Sequence, residues 1–177
     1  HNLLTQIDLA AVPGLLSLAC DHNQLSQLDL AAVPQLTMLS CNHNDLTQLD
    51  LSPVPQLHEL WCRENQLTVL ALAAVPNLHL LDCSSNRLMM LAAEAVPALT
   101  KLWCADNHIT RLDVSTLQSL SLLVCDNNQI ASLQLGDLPN LTELWCRHNR
   151  LTQLDLSRVP ALSALACDHN ALCMLDL

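Results

Sequence analysis

The feature that most constrains this chain is a repeat of 21 residues that continues from end to end without insertion or deletion. Each copy carries the pattern L-x-x-L-x-C-x-x-N-x-L, which is clearest between Leu57 and Leu67. The cysteines recur at positions 20, 41, 62, 83, 104, 125, 146 and 167, and the asparagines at 2, 23, 44, 65, 86, 107, 128, 149 and 170. A fixed period of this size is typical of proteins that stack one structural unit per repeat. The sequence therefore predicts a solenoid, in which we call each 21-residue turn a rung and each set of equivalent positions a column.

Two segments of each repeat differ in their hydrophobic spacing. Residues 36–41 place Leu39 and Cys41 two apart, which is strand alternation, and stacked rungs should pair these strands in a parallel sheet. The return segment, residues 25–33 in the same repeat, is too short for a long helix and ends in Val-Pro. It fits a turn followed by a brief extended or 3₁₀ piece. Gln118 replaces the recurring proline once, so proline assists this bend without being required.

The motif L-x-x-L-x-C-x-x-N-x-L resembles that of leucine-rich repeat proteins over the whole chain. The run from Cys41 to Ser52 is typical of the bacterial 21-residue class with a cysteine ladder, the internalin J-like class. The resemblance implies an α/β-type solenoid, mostly β: a right-handed superhelix with a parallel concave β-sheet and short irregular or 3₁₀ convex segments. We expect a single domain over residues 1–177, with eight full repeats, partial repeats at both ends and no caps. Because an uncapped stack exposes apolar ends, we expect a fragment of a longer protein.

Composition argues against several classes of function. The net charge is −10, whereas nucleic acid or an anionic membrane would require a basic face. No apolar run reaches the roughly 20 residues needed to span a bilayer, so we expect no membrane insertion. The sequence contains no glycine-rich phosphate loop, no H-E-x-x-H and no nucleophile elbow. We therefore expect a binding protein and not an enzyme.

The cysteine and asparagine columns are expected to be structural. A buried thiol behaves as a small apolar side chain, and the sequence lacks the close C-x-x-C spacing of metal sites. We therefore expect free thiols within the core, with Cys173, which lies outside the ladder, as the most reactive one. A buried amide such as that of Asn86 should bond the backbone of its own turn and of the next rung.

The positions that the repeat does not fix are the candidate functional residues. Strand side chains alternate between faces, so the residue before each cysteine should point outward onto the concave face. All three tryptophans stand in this column, on every second rung and roughly 10 Å apart by strand spacing. Tryptophan and arginine are the residues most enriched in binding hot spots. We therefore predict these ligand-binding residues on the concave face: Trp61, Trp103, Trp145, Arg63, Arg147, Glu59, Glu143, Asp82, Lys101 and Val124.

Within this set the tryptophans are expected to anchor the ligand, and the arginines and acids to set its specificity. The run from Glu59 to Arg63 partly recurs from Glu143 to Arg147, which indicates one surface element used twice.

A histidine precedes the asparagine in five repeats, at His1, His22, His43, His148 and His169. Stacked imidazoles can bind a transition metal or respond to pH. A repeated motif also copies its residues without a functional need, which favours a solvated rim. We therefore expect no bound metal and no cofactor, and a zinc titration would test this.

An aspartate column follows on the convex side, at Asp8, Asp29, Asp50, Asp113, Asp155 and Asp176. Its gaps at Ala71, Ala92 and Gln134 would interrupt a continuous calcium site. We expect these aspartates to stabilise turns.

Three hypotheses of function follow. The favoured one is a protein–protein interaction module that binds a protein or peptide on its concave face, with a glycan as a less favoured ligand because tryptophan can stack on sugar rings. The second is the substrate-recognition domain of a bacterial effector enzyme, and the third is a designed or idealised scaffold. For a natural protein the resemblance implies virulence-related proteins that are secreted, displayed on the bacterial surface or delivered into a host cell.

Overall fold

Twelve strands of three residues each lie within residues 2–176, the part of the chain that the computed structural model describes. In chain order they are β1 (Ser17–Ala19), β2 (Met38–Ser40), β3 (Glu59–Trp61), β4 (Leu80–Asp82), β5 (Lys101–Trp103), β6 (Arg111–Asp113), β7 (Leu122–Val124), β8 (Ser132–Gln134), β9 (Glu143–Trp145), β10 (Gln153–Asp155), β11 (Ala164–Ala166) and β12 (Met174–Asp176). One strand from each rung joins an eight-stranded sheet in the order β1-β2-β3-β4-β5-β7-β9-β11. All pairs are parallel, and their register follows the 21-residue period, as in Leu60 opposite Leu81. The fold is the predicted parallel β-solenoid.

The return segments are more regular than the sequence indicates. Two contain 3₁₀ helices, η1 (Leu72–Ala74) and η2 (Ala93–Ala95), as predicted. The four that follow contain strands, and these form two small parallel sheets, β6 with β8 and β10 with β12. The spacing of apolar residues in the return segments does not predict these two sheets. Within residues 2–176, no helix is long and apolar enough to cross a membrane.

The interior is aliphatic and follows the repeat. Leu60, Cys62 and Leu67 are all fully buried, and the equivalent residues of the neighbouring rungs are buried in the same way. A valine stands before the proline in six rungs and is buried in all of these except the first, where Val12 is 44% exposed. Its N–H closes the bend, as from Val33 to the carbonyl of Leu30 at 3.0 Å. In the rung where Gln118 replaces the proline, the N–H of Leu117 bonds the carbonyl of Val114 at 3.0 Å. The prediction that proline is not required for the bend is therefore confirmed.

Each motif asparagine from Asn23 to Asn170 ties two rungs together. The Oδ1 of Asn86 accepts from the N–H of Leu67 at 2.9 Å, and its Nδ2 donates to the carbonyls of Cys62 at 3.0 Å and Cys83 at 3.1 Å. The prediction of a buried, bonded amide is confirmed, but the neighbour it contacts is the preceding rung and not the next one. Among the described residues, no buried side-chain nitrogen or oxygen lacks a hydrogen-bond partner.

The residue before each asparagine has a left-handed backbone. Its φ lies between 51° and 56° in all eight described rungs, and the residues there are His22, His43, Glu64, Ser85, Asp106, Asn127, His148 and His169. β-Branched residues are strongly disfavoured in this conformation, whereas Asn, Asp and His are enriched in it. The backbone thus restricts which side chains this column can carry.

Candidate binding surface

The outward side of the eight-stranded sheet, which we call the sheet face, is formed by the first and third residues of each strand. The middle residues of the six inner strands are fully buried, as at Leu60, Leu102 and Leu144, and those of β1 and β11 at the ends are partly buried. The chain alternates about these residues. The register places one column directly across the strands, in the order Trp61, Asp82, Trp103, Val124 and Trp145. All three tryptophans in it are partly exposed. The outward placement that the sequence predicts is therefore present.

Two of the tryptophans contact each other. The ring centroids of Trp61 and Trp103 are 5.6 Å apart, with 34° between the ring planes. The separation of roughly 10 Å expected from strand spacing is wrong for the rings, because the two side chains lean towards each other across the strand that carries Asp82. Asp82 is short, and its Oδ1 accepts from the backbone N–H of Ser84 at 3.0 Å. The two indoles thus form one continuous aromatic surface, which we call the tryptophan pair.

Trp145 belongs to a separate cluster of polar contacts. Its Nε1 donates to Glu143 at 3.3 Å, and the guanidinium carbon of Arg147 lies 4.9 Å from the centroid of its ring. The Nε of Arg147 also donates to Asp168 in the next rung at 2.9 Å. The positive charge of a guanidinium group is attracted to the face of an indole ring, and this attraction holds the two side chains together. These four residues, Glu143, Trp145, Arg147 and Asp168, form what we call the Trp145 cluster.

The repeated run of sequence does not produce the same element twice. Arg63 bonds the neighbouring Glu64 at 3.1 Å, whereas Arg147 stacks on its tryptophan and reaches Asp168. The difference comes from the surroundings: His148 stands where Glu64 does, and Asp168 stands in the column position that holds Ser84 beside Arg63. The expectation of one surface element used twice is therefore wrong at the level of contacts.

The other predicted residues surround these two features. Glu59 and Lys101 are first residues of β3 and β5, and Val124 separates Trp103 from Trp145 in the register. Lys101 is exposed and forms no ion pair with any residue of the described range 2–176.

The column that contains Arg63 and Arg147 also has a structural role, which the sequence pattern does not reveal. Asp21 and Asp126 each accept, through Oδ1, the backbone N–H of the equivalent residue one rung later, at 2.7 and 2.6 Å. Burial raises the pKa of the Asp126 carboxyl, and the nearby charges of Asp168 and Asp106 add to that effect. These side chains support the sheet face, so only part of the column is available to a ligand.

The eight ladder cysteines lie one per rung and are free thiols. Seven are buried, Cys167 at the end of the stack is partly exposed, and Cys173 outside the ladder is exposed. Burial raises the pKa of Cys20 and of Cys146 to about 12, and neighbouring charges contribute in the same direction. The expectation of buried free thiols is confirmed, and the exposure of Cys173 favours its predicted reactivity.

This geometry can be compared with known proteins. The structure superposes on the functional domain of InlJ from Listeria monocytogenes, which includes a cysteine ladder, with a TM-score of 0.80 and 32% sequence identity over 97% of the chain. The chain is a leucine-rich repeat protein of the cysteine-ladder class. A leucine-rich repeat protein from Leptospira interrogans matches 99% of the chain with a TM-score of 0.90 and 24% identity. No protein-family model and no curated protein matches the sequence.

This leucine-rich repeat chain spans only part of its structural relatives. It covers 43% of the InlJ chain and 53% of the Leptospira chain. A plant peptide hormone receptor, RGFR1 in complex with RGF2, matches 94% of this chain with a TM-score of 0.80 and 21% identity, and the match covers 30% of the receptor. The fold is thus shared with proteins that serve as interaction scaffolds.

Two further columns of the leucine-rich repeat have clear contacts. In the aspartate column, Oδ1 accepts the backbone N–H two residues later at Asp8, Asp29, Asp50, Asp113 and Asp155. The hydroxyl and then the backbone N–H of Ser115 lower the pKa of the Asp113 carboxyl. The expected turn-stabilising role is confirmed for these five, and the side chain of Asp176 lies outside the described residues.

In the histidine column, adjacent rings stack. The centroids of His22 and His43 are 4.1 Å apart, as are those of His148 and His169, and the planes are within 14° and 7° of parallel. Nδ1 of His43 lies 2.6 Å from a carboxylate oxygen of Glu64. His1 lies outside the described residues.

Proposed function

We propose that this chain is a protein-interaction module that binds an extended segment of a protein or peptide across the sheet face, with Trp61, Trp103 and Trp145 as anchors. The observation that carries the proposal is the column itself: every tryptophan of the protein is partly exposed in one line across the parallel strands. The repeat provides no packing reason for tryptophan there, because Ala19 and Ala166 occupy the same column.

The two features of the sheet face would contact the ligand differently. The tryptophan pair offers aromatic area with few polar atoms, which suits an apolar or aromatic side chain. The Trp145 cluster offers charged groups already held by one another, so little side-chain entropy is lost when they bind. Arg63, Glu59, Asp82, Lys101 and Val124 flank both features, and we propose that they select the ligand.

Some wider expectations rest on the family resemblance and belong to this proposal. The chain itself would perform no catalysis, and the full protein would act outside the bacterial cytoplasm, on the cell surface or after secretion. A protein ligand is favoured over a glycan because the aromatic surface is flanked by charges of both signs, which suit a polypeptide.

The proposal is tested by replacing the three tryptophans with alanine, singly and together. Alanine is native to this column, so each variant should fold and melt close to the wild type, whereas partner capture in a pull-down should weaken with each change and be lost in the triple variant. Met89→Ala is the matched control, since it removes an apolar side chain that is 67% exposed on the return side. An identical set of captured proteins from the triple variant would contradict the proposal, as would capture that depends on Met89. Unfolding of the single variants would show that the column is structural.

A further inference from the structure

The structure assigns a second site, a binding site for a divalent transition-metal ion such as Zn²⁺, to His148, Asp168 and His169. These are the residues of the described range 2–176 in which three potential metal ligands come together, and one ligand atom from each lies within 4.8 Å of the other two. The site shares Asp168 with the Trp145 cluster, but it is argued from its own ligand atoms and needs no bound partner. It departs from the expectation of a solvated, metal-free histidine column.

The backbone positions the two imidazoles. His148 and His169 stand one rung apart with φ of 51° and 56°, so their side chains leave the chain in the same direction. Their rings stack with centroids 4.1 Å apart and planes 7° from parallel. Neutral imidazole nitrogen is a good ligand for Zn, Cu and Ni ions. Neighbouring rungs thus hold two imidazoles side by side, and the rings must turn out of the stack for both nitrogen lone pairs to point at one ion.

Asp168 supplies the third ligand from the residue just before His169. Its Oδ2 lies 3.6 Å from Nε2 of His169, while its Oδ1 accepts from Arg147 at 2.9 Å. One oxygen can therefore coordinate an ion while the other keeps its arginine. A hydrogen bond to a coordinating carboxylate orients it and raises the affinity of metal sites.

The separations are compatible with a metal after a small adjustment. Zinc binds nitrogen and oxygen at about 2.0–2.2 Å, so two ligands of one tetrahedral ion lie about 3.5 Å apart. The ligand atoms here lie within 4.8 Å of one another, so they must approach by up to about 1.3 Å to bind one ion. All three side chains are exposed and can rotate to close that difference. Water would complete the coordination, which gives an open site of three protein ligands.

The other histidine stack provides an internal comparison. His22 and His43 have the same separation of 4.1 Å, but the residue equivalent to Asp168 is Asn42, an amide. The Oδ1 of Asn42 accepts from the N–H of Arg63 at 2.8 Å, and Nδ1 of His43 faces Glu64 at 2.6 Å. Both stacks thus have a carboxylate beside them, but among the described residues only His148, Asp168 and His169 bring one ligand atom each within 4.8 Å of the other two.

The experiment is a titration of the full chain with Zn²⁺ under reducing conditions, in which calorimetry measures the heat of binding. All proteins carry Cys173→Ser, so that the exposed thiol does not contribute. The proposal expects one equivalent of bound zinc, a loss of binding in His148→Ser and in His169→Ser, and weaker binding in Asp168→Asn, which copies Asn42. Serine is chosen because Ser85 occupies the same column with φ of 54°, so the backbone accepts it.

The double variant His22→Ser/His43→Ser is the matched control and should bind zinc like the parent. Melting curves without metal identify any variant that fails to fold. Such a variant is replaced by His148→Asn or His169→Asn, which follow Asn127 in that column; asparagine is a poor ligand for zinc, so binding should be lost there too. The proposal is overturned if the parent binds no zinc, if binding survives the loss of both His148 and His169, or if the control variant loses it.

Discussion

At the scale of single residues, the motif asparagine is the most connected polar side chain of each rung. Asn86 is 7% exposed and its amide bonds four backbone groups, three carbonyls and one N–H, in two rungs. These groups belong to irregular backbone that has no sheet partner at that point. One amide therefore replaces several backbone bonds that the turn cannot make for itself.

We expect Asn86→Ala to lower the free energy of unfolding by about 1–3 kcal/mol, because buried backbone groups are left without a partner. Urea unfolding and thermal melts measure this. Asn140→Ala is the control: this amide is exposed and makes one bond, to the carbonyl of Gln118 at 2.9 Å, so its loss should change stability little. Equal stability of the two variants would argue against a buried asparagine ladder.

The tryptophans show how far residue patterns reach. Strand alternation alone places Trp61, Trp103 and Trp145 outward, and the structure agrees. The contact between the first two depends on χ angles and on the short Asp82 between them, which no spacing rule contains. The same holds for Arg147, whose stacking on Trp145 depends on Asp168 in the next rung.

At the scale of elements, the return segments show that neighbours decide local structure. The run Thr-Gln-Leu-Asp-Leu occurs at residues 47–51 without a strand and at 152–156 with β10 inside it. The local sequence is identical, so propensity cannot be the cause. β10 is paired with β12, whereas residues 47–51 have no strand beside them. A strand forms there only where an adjacent rung supplies a matching partner.

Gly136 marks the change of direction after β8. Its φ is +62°, and a Cβ built there would lie 2.7 Å from Cβ and 2.9 Å from Cα of Ser115, the equivalent residue of the preceding rung. Glycine tolerates both the left-handed backbone and the close approach. This position therefore requires glycine, although the rest of its column carries alanine, serine or glutamate.

We expect Gly136→Ala to lower the free energy of unfolding by about 1–3 kcal/mol, through strain at a left-handed residue and the contact with Ser115. Gly14→Ala is the matched control, because a Cβ there meets no atom within 4 Å. That variant should be unchanged or more stable by up to about 1 kcal/mol, since alanine restricts the unfolded chain. Chemical denaturation of both variants gives the comparison, and a Gly136→Ala protein as stable as the wild type would rule out a strained turn.

At the scale of the whole molecule, the cysteine ladder couples stability to pH. The buried thiols of the folded chain have a raised pKa, about 12 at Cys20 and at Cys146, because burial disfavours the thiolate. An unfolded cysteine titrates near 8.5. Between these values the unfolded chain loses protons that the folded chain keeps. Stability is therefore fully present below about pH 8.5 and is lost as the pH rises towards 12.

We expect the free energy of unfolding to fall above pH 8.5 by up to about 1.4 kcal/mol per pH unit for each buried thiol. The protein has no tyrosine and Lys101 is its only lysine, so few other groups titrate in this range. Urea unfolding in a reducing buffer between pH 7 and 10.5 measures the slope. The double variant Cys104→Ala/Cys125→Ala is the comparison: it should be less stable at pH 7 but show a shallower alkaline slope. A flat profile in the wild type would mean that the thiols ionise in the folded state.

The sequence by itself determined the architecture of this protein. A 21-residue period with leucine, cysteine and asparagine at fixed positions can bury its apolar residues only by stacking, so the parallel sheet, its register and the buried ladders follow. The outward column of tryptophans follows from the same alternation. None of these features depends on the details of side-chain packing.

Tertiary structure alone decided which surface residues meet. The tryptophan pair, the Trp145 cluster, the small sheets of the return side and the group of His148, Asp168 and His169 all join residues of different rungs. The small sheets depend on a matching strand in the adjacent rung, and the three side-chain groups depend on side-chain rotation as well. Periodicity fixes the spacing between rungs, but it leaves the direction of each exposed side chain free, and that direction creates the candidate sites.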